Sequence, residues 1–228
     1  MRRLIAILIA GLALATPAAA GAWLRDEGDG FVSLSGTMRA GPADAAGTKS
    51  FETGLHGDFG AFRRLTLGLD VDETPGESGH ALVFARLPLG PIRGRRRMAL
   101  ELGLGAHHVG GQWAGMGKAT LSWGLGFAGP GGGWLAIDGA LERRAATTTT
   151  TARTIYKIDA GLGLPSRRRI RPMLKIETSQ VEGAGFYWSV IPSLIIPDRD
   201  GRRWVVGLEA RSGNPRTLGL KLSLWKRF

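Results

Sequence analysis

Chemistry could begin at the four histidines, His56, His80, His107 and His108. His56 stands between Glu52 and Asp58, and in an extended segment residues 52, 56 and 58 point to one face. An imidazole flanked by two carboxylates can relay a proton or hold a metal ion, and the same trio also suits an internal ion-pair network. His107 and His108 are adjacent, and either one beside a serine could serve a lipid hydrolase. The patterns that would turn these residues into a reaction centre are missing. No Gly-x-Ser-x-Gly elbow presents a nucleophile. Gly124, Gly126 and Gly129 satisfy G-x-G-x-x-G, but Pro130 and further glycines follow where a dinucleotide fold needs a helix. Gly117-Lys118 lacks the upstream Gly and the downstream Ser or Thr of a phosphate loop. The threonine run from Thr147 to Thr151 reads as a solvated loop tip. There is no zinc spacing, no calcium loop and no cysteine. The expectation is a protein that is not an enzyme, with no catalytic residue, no metal and no cofactor.

What, then, do the remaining charges do? The 228 residues carry a formal net charge of +11, which first suggests nucleic acid. The beginning of the chain argues for another destination. MRRLIAILIAGLALATPAAAGA sets Arg2 and Arg3 before an apolar run from Leu4 to Ala15, then places small residues at Ala18, Ala20 and Ala22. That is the layout of a secretory signal, with cleavage after Ala20 or Ala22 meeting the small-x-small requirement. The run is shorter than the roughly 20 residues of a spanning helix. The expected organisation is a cleaved signal at 1–20 and one exported domain at 21–228, with no nucleic-acid partner. Without cysteine, that domain must be held by packing or by a closed hydrogen-bond network.

The elements that position the charges are strands. Leu65, Leu67, Leu69 and Val71 alternate with Thr66, Gly68, Asp70 and Asp72. The same period of two runs through Met98–Gly105, Ala119–Phe127, Tyr156–Leu164 and Trp204–Arg211. The one long stretch without charge, Leu121–Ile137, has Gly-Pro-Gly-Gly-Gly at its centre and reads as two strands and a turn. Twelve segments of about ten residues emerge, near 31–38, 50–59, 64–72, 80–89, 98–107, 118–128, 134–143, 153–164, 171–178, 186–196, 203–212 and 217–228. Ten or fourteen fit the same pattern, because Arg86 shares a face with Leu82 and Phe84 unless Ala81, Val83, Ala85 and Leu87 face outward. Pro172 and Pro192 also remove ladder donors from the ninth and tenth segments.

One face of each segment is apolar and nearly free of charge. The other collects Glu52, His56, Asp58, Asp70, Glu101, Asp138, Lys157, Asp159, Lys175, Glu177, Glu209, Arg211 and Lys221. In a soluble sandwich the polar faces meet solvent, whereas in a membrane barrel they line a lumen and the apolar faces meet lipid. Ten residues is also the length of a tilted strand crossing a bilayer. The fold expected is all-β, a transmembrane antiparallel up-and-down β-barrel of about twelve strands. Every second connection is short and basic, which places those turns and both chain ends on the periplasmic side, with longer Gly-, Ser- and Thr-rich loops outside. Phe31, Phe59, Trp134, Trp188, Trp204 and Trp225 lie at segment ends, where interfacial aromatic girdles form.

The final LGLKLSLWKRF alternates Leu220, Leu222 and Leu224 with polar residues and ends on Phe228. This pattern resembles the C-terminal assembly signal of bacterial outer-membrane β-barrel proteins, and with it the whole mature chain resembles that family. GAWLRDEGDGFVSLS and FGAFRRLTLGLDVD are similar to stretches of small, mostly uncharacterised outer-membrane proteins of alphaproteobacteria. The resemblance implies residence in the outer membrane, contact with its lipids, and recognition of the last strand by the barrel-assembly machinery; it implies nothing about oligomeric state. The third residue from the end, commonly aromatic in that signal, is Lys226 here. The function expected is a narrow passive channel or a structural envelope protein with a charged lumen. The alternatives are a lipid-modifying hydrolase of the outer membrane and a secreted soluble β-sandwich that binds polyanions.

Overall fold

In a computed structural model of the chain, the described residues are 21–41, 49–128, 131–166, 169–213 and 216–228. The expected signal segment, 1–20, lies outside them. Twelve strands follow one another: β1 (Gly30–Ala40), β2 (Lys49–Phe62), β3 (Leu65–Thr74), β4 (Ser78–Pro88), β5 (Arg96–Val109), β6 (Gln112–Phe127), β7 (Gly133–Arg144), β8 (Arg153–Gly163), β9 (Arg171–Val181), β10 (Phe186–Pro197), β11 (Arg203–Arg211) and β12 (Thr217–Arg227). Each pairs antiparallel with its sequence neighbour, and β12 closes on β1 from Phe31↔Arg227 to Ala40↔Leu218. Closure removes every sheet edge, so the strand backbones satisfy one another, as lipid requires.

Alternation then sorts the side chains. Every strand sets large apolar residues on the outside, among them Val83 (67 % exposed), Leu104 (74 %) and Leu208 (66 %). A soluble protein does not expose an apolar belt on this scale, and the single closed sheet is not two packed sheets, so the β-sandwich alternative is excluded. In β4, Leu82, Phe84 and Arg86 turn inward together while Val83 and Leu87 face out, which keeps the fourth strand in phase. Pro172 and Pro192 both stand on the outer face. The β10–β11 ladder is interrupted between Val190↔Ala210 and Ser193↔Gly207, the stretch that contains Pro192.

The expected difference between short and long connections does not hold. The connections at the end that carries both chain termini have two to seven residues, and those at the far end have two to eight. β6 begins at Gln112 rather than near 118, because Gly110 and Gly111, with φ of 56° and 81°, make a two-residue hairpin turn that extends the β5–β6 ladder. The basic residues still gather at the terminal end, at Arg63, Arg64, Arg93, Arg95–Arg97, Arg199, Arg202, Lys226 and Arg227.

Twelve strands spaced about 4.8 Å apart and tilted about 40° enclose a cylinder roughly 24 Å across between backbones. Side chains can fill an eight-stranded barrel, but this one is wider. Its interior is occupied by ion pairs and by a stretch of the chain that precedes β1.

Candidate functional site

Glu52, His56, Asp70, Glu101, Asp138, Lys157, Asp159, Lys175, Glu177, Glu209, Arg211 and Lys221 line a cavity of about 720 Å³ inside the barrel. Asp58 points the same way but is sealed beneath Arg25 and Arg86.

The charges form layers. Near the terminal end, Arg86 donates to Glu101 from Nε (3.0 Å) and Nη2 (2.7 Å) and to Asp58 from Nη1 (3.2 Å). Asp58 also takes Arg25 Nε at 2.5 Å. At mid-barrel, Asp70 is 3.6 Å from His56, 3.6 Å from His80 and 3.5 Å from Lys118. On the opposite wall Lys175 holds Glu177 at 2.5 Å. Towards the far end, Arg39 bridges Glu52 (2.6 Å) and Glu209 (2.7 Å), and Glu142 takes Lys157 (2.5 Å) and Arg144 (3.1 Å). Lys221 has no carboxylate within ion-pair distance among the described residues.

Lys175 and Glu177, two apart on one face of β9, pair as neighbours, but other neighbours do not. Lys157 pairs with Glu142 across the β7–β8 ladder rather than with Asp159, which accepts the Thr178 amide at 3.1 Å instead. Glu52 leaves His56 for Arg39, so His56 lies between Asp58 and Asp70 and stacks on Phe84 with ring centres 5.5 Å apart. Among the described residues, no group of three acidic or histidine side chains has a metal-holding arrangement. His107 and His108 face opposite sides of β5. His107 turns inward, with Nε2 3.0 Å from the Ala145 carbonyl oxygen; His108 is 2.7 Å from Glu73 and lies against the Trp113 ring. Neither makes a hydrogen bond to a serine among the described residues.

The stretch before β1 enters the barrel at the terminal end. Ala22 and Trp23 are buried against Trp134, Ala136 and Met173, with Trp23 edge-on to Trp134 at 6.5 Å. Gly124 on β6 makes this possible, since a Cβ there would meet the Trp23 ring and come within 2.8 Å of the Ala22 methyl. The Arg25 amide donates to Thr66 Oγ1 at 3.0 Å, and the Arg25 guanidinium lies 4.7 Å over the Phe31 ring. Gly28 and Asp29 then exchange backbone hydrogen bonds with Gly60. Three of the aromatics expected in girdles are therefore interior: Trp134 packs on Trp23, and Phe31 and Trp225 meet edge-on at 6.0 Å inside the lumen. Phe59 and Trp204 do face outward, and Trp188 borders the far mouth of the cavity.

Sequence reasoning passed over Arg39, Arg86, Lys118, Glu142 and Arg144, although all lie on the charge-collecting parity of their strands. The conflict at Arg86 was itself the signal, because an arginine in phase with Leu82 and Phe84 means that those two also face inward. Arg25 and Trp23 lie outside any alternating segment and carried no such mark.

A closed antiparallel barrel, apolar outside and ion-paired within, is a transmembrane β-barrel with a charged lumen. No family model and no curated protein matches the sequence. Solved structures do resemble the fold. The chain is similar to the NanC porin (9 % identity, TM-score 0.62, covering 85 % of this chain and 98 % of that one) and to the KdgM porin (9 %, 0.59, 87 % and 99 %). It is also similar to an outer membrane channel from Pseudomonas putida F1 (10 %, 0.62, 93 % and 100 %). The fold is thus that of outer-membrane β-barrels.

Proposed function

We propose that the protein is a narrow passive channel of the outer membrane, admitting small polar solutes through a lumen of mixed charge. The observation that carries this reading is the polar cavity of about 720 Å³ left inside a wall that is apolar all round. A purely structural barrel has no need of such a cavity. Nine acidic and nine basic residues line the cavity, so the lumen should not select strongly for the sign of a small ion. The names of the similar structures, two porins and a channel, support the same reading.

Export by the 1–20 signal, lipid contact around the belt and insertion through the barrel-assembly machinery belong to this proposal, as does kinship with small alphaproteobacterial outer-membrane proteins. The terminal end is then periplasmic. Leu218, Leu220 and Leu222 face outward, and the Phe228 backbone pairs with Gly30 (2.7 and 3.1 Å), so the assembly signal is also the seam of the barrel. A catalytic role is not part of the reading, because His107 is held by the Ala145 carbonyl and His108 by Glu73, and neither is hydrogen-bonded to a serine among the described residues.

The test is conductance in planar bilayers, with folding verified by the shift in electrophoretic mobility on boiling. The wild type should give small, infrequent steps, with cation and anion permeabilities within about twofold of each other. If neither the folded wild type nor a folded variant with Trp23→Ala and Arg25→Ala conducts, the channel reading is wrong.

A further inference from the structure

Asp138 on β7 carries the one buried carboxylate oxygen without a hydrogen-bond partner among the described residues, Oδ1. Its cross-strand neighbour on β8 is another carboxylate, Asp159. Two like charges opposite each other are unfavourable, and a desolvated carboxylate oxygen calls for a donor or a cation. The part of the chain placed against Asp138 is Gly21. A Cβ built on Gly21 would lie 2.7 Å from Asp138 Oδ1 and would collide with Ser122 Oγ. The Gly21 nitrogen, two bonds from that point, is therefore within about 5 Å of the carboxylate. A larger residue there would have to displace the Ser122 and Asp138 side chains, and Gly21 directly follows the first of the two small-residue cleavage positions.

Hydrolysis of the Ala20–Gly21 bond by a leader peptidase consumes one water and leaves a carboxylate on Ala20 and an ammonium on Gly21. The neutral amide becomes a cation with up to three donors, within about 5 Å of the oxygen that lacks one. Cleavage after Ala22 would instead remove Gly21 and Ala22 and leave Asp138 with Ser122 and the charges of Arg86 and Lys175 alone. We infer that the mature chain begins at Gly21, that its terminal ammonium docks on Asp138 and Ser122, and that Gly21–Arg25 is a tethered plug of the lumen.

The plug is pinned at both ends, by the ammonium on Asp138 at its tip and by Arg25 on Asp58 at its base, with Trp23 wedged over Gly124 between them. Processing and closure are thereby coupled, since only a correctly cleaved chain has the charge that holds the plug. As a gate, the device rests on the channel reading; as a docking site, it does not.

The test has two readouts. The intact mass of the protein taken from outer membranes should correspond to a chain that starts at Gly21; a chain that starts at Trp23 overturns the inference. Because the protein has no cysteine, Ala22→Cys introduces a unique thiol. In the folded barrel it should react with a water-soluble maleimide at least about tenfold more slowly than in urea, and adding Asp138→Asn should abolish most of that protection. Equal rates folded and unfolded, or unchanged protection with Asp138→Asn, overturn it. Labelling does not depend on conduction, so a barrel that never conducts yet protects the thiol loses the channel and keeps the plug.

Discussion

Arg86→Met removes the hub of the layer nearest the terminal end. The Arg86 side chain is 3 % exposed and makes three charge-assisted hydrogen bonds, two to Glu101 and one to Asp58. Its partners do not lose equally. Asp58 keeps Arg25 at 2.5 Å, whereas Glu101, 10 % exposed, receives no other side-chain hydrogen bond among the described residues. Breaking a buried pair by removing one partner destabilises by about 3–5 kcal/mol, most of it the uncompensated charge left behind. The lower half of that range is expected here, because Glu101 borders the lumen and water can reach it. The comparison that isolates the cause is Arg86→Met with Glu101→Gln, which removes the orphan charge and should recover at least half of the loss. An exposed pair gives the scale: Arg143, 58 % exposed beside Glu182, should cost no more than about 1 kcal/mol on replacement by Ala. Urea unfolding in lipid vesicles, followed by tryptophan fluorescence, measures all three. If Arg86→Met stays within about 0.5 kcal/mol of the wild type, or the double variant is no better than the single, the buried-hub argument fails.

Four further outcomes follow from the same geometry. Deleting Phe228 should impair assembly by opening the β12–β1 seam, whereas Lys226→Tyr should assemble normally; the heat-shifted band in the outer-membrane fraction measures both. Leu102→Arg, on the lipid face near the middle of β5, should destabilise the barrel by about 2–4 kcal/mol in the vesicle assay, and a neutral result would mean that this face does not meet lipid. Lys221→Glu removes a lumenal cation without an ion-pair partner and should shift the reversal potential in a salt gradient towards cation selectivity. Gly111→Ala strains a hairpin residue with φ of 81° and should destabilise by about 1–2 kcal/mol, unlike Ala114→Gly a few residues on in β6.

The twelve strands and the two faces of the sheet were legible in the sequence because strand geometry is local. A period of two is set by each residue's own backbone, so parity can be read without knowing a neighbour. It failed where local composition opposed the ladder. Gln112–Gly117 is rich in Gly and reads as a loop, yet the tight Gly110-Gly111 turn holds it in register with β5. Parity also assigns Trp134 inward, but its position at a strand end suggested the interface.

Sequence alone thus determined a chain of strands with an apolar face, a charged face and a last strand that runs up to Phe228. Only the tertiary structure decided which charges meet. Arg39 reaches Glu209, 170 positions away, because closing the ring brings β1 beside β12 and within reach of β11. That partner depends on the register accumulated around the whole barrel, which no single segment encodes. The same holds for Gly21–Asp29: with no periodicity to assign it a face, its place was set by the interior width of twelve strands and by the notch at Gly124 that admits Trp23.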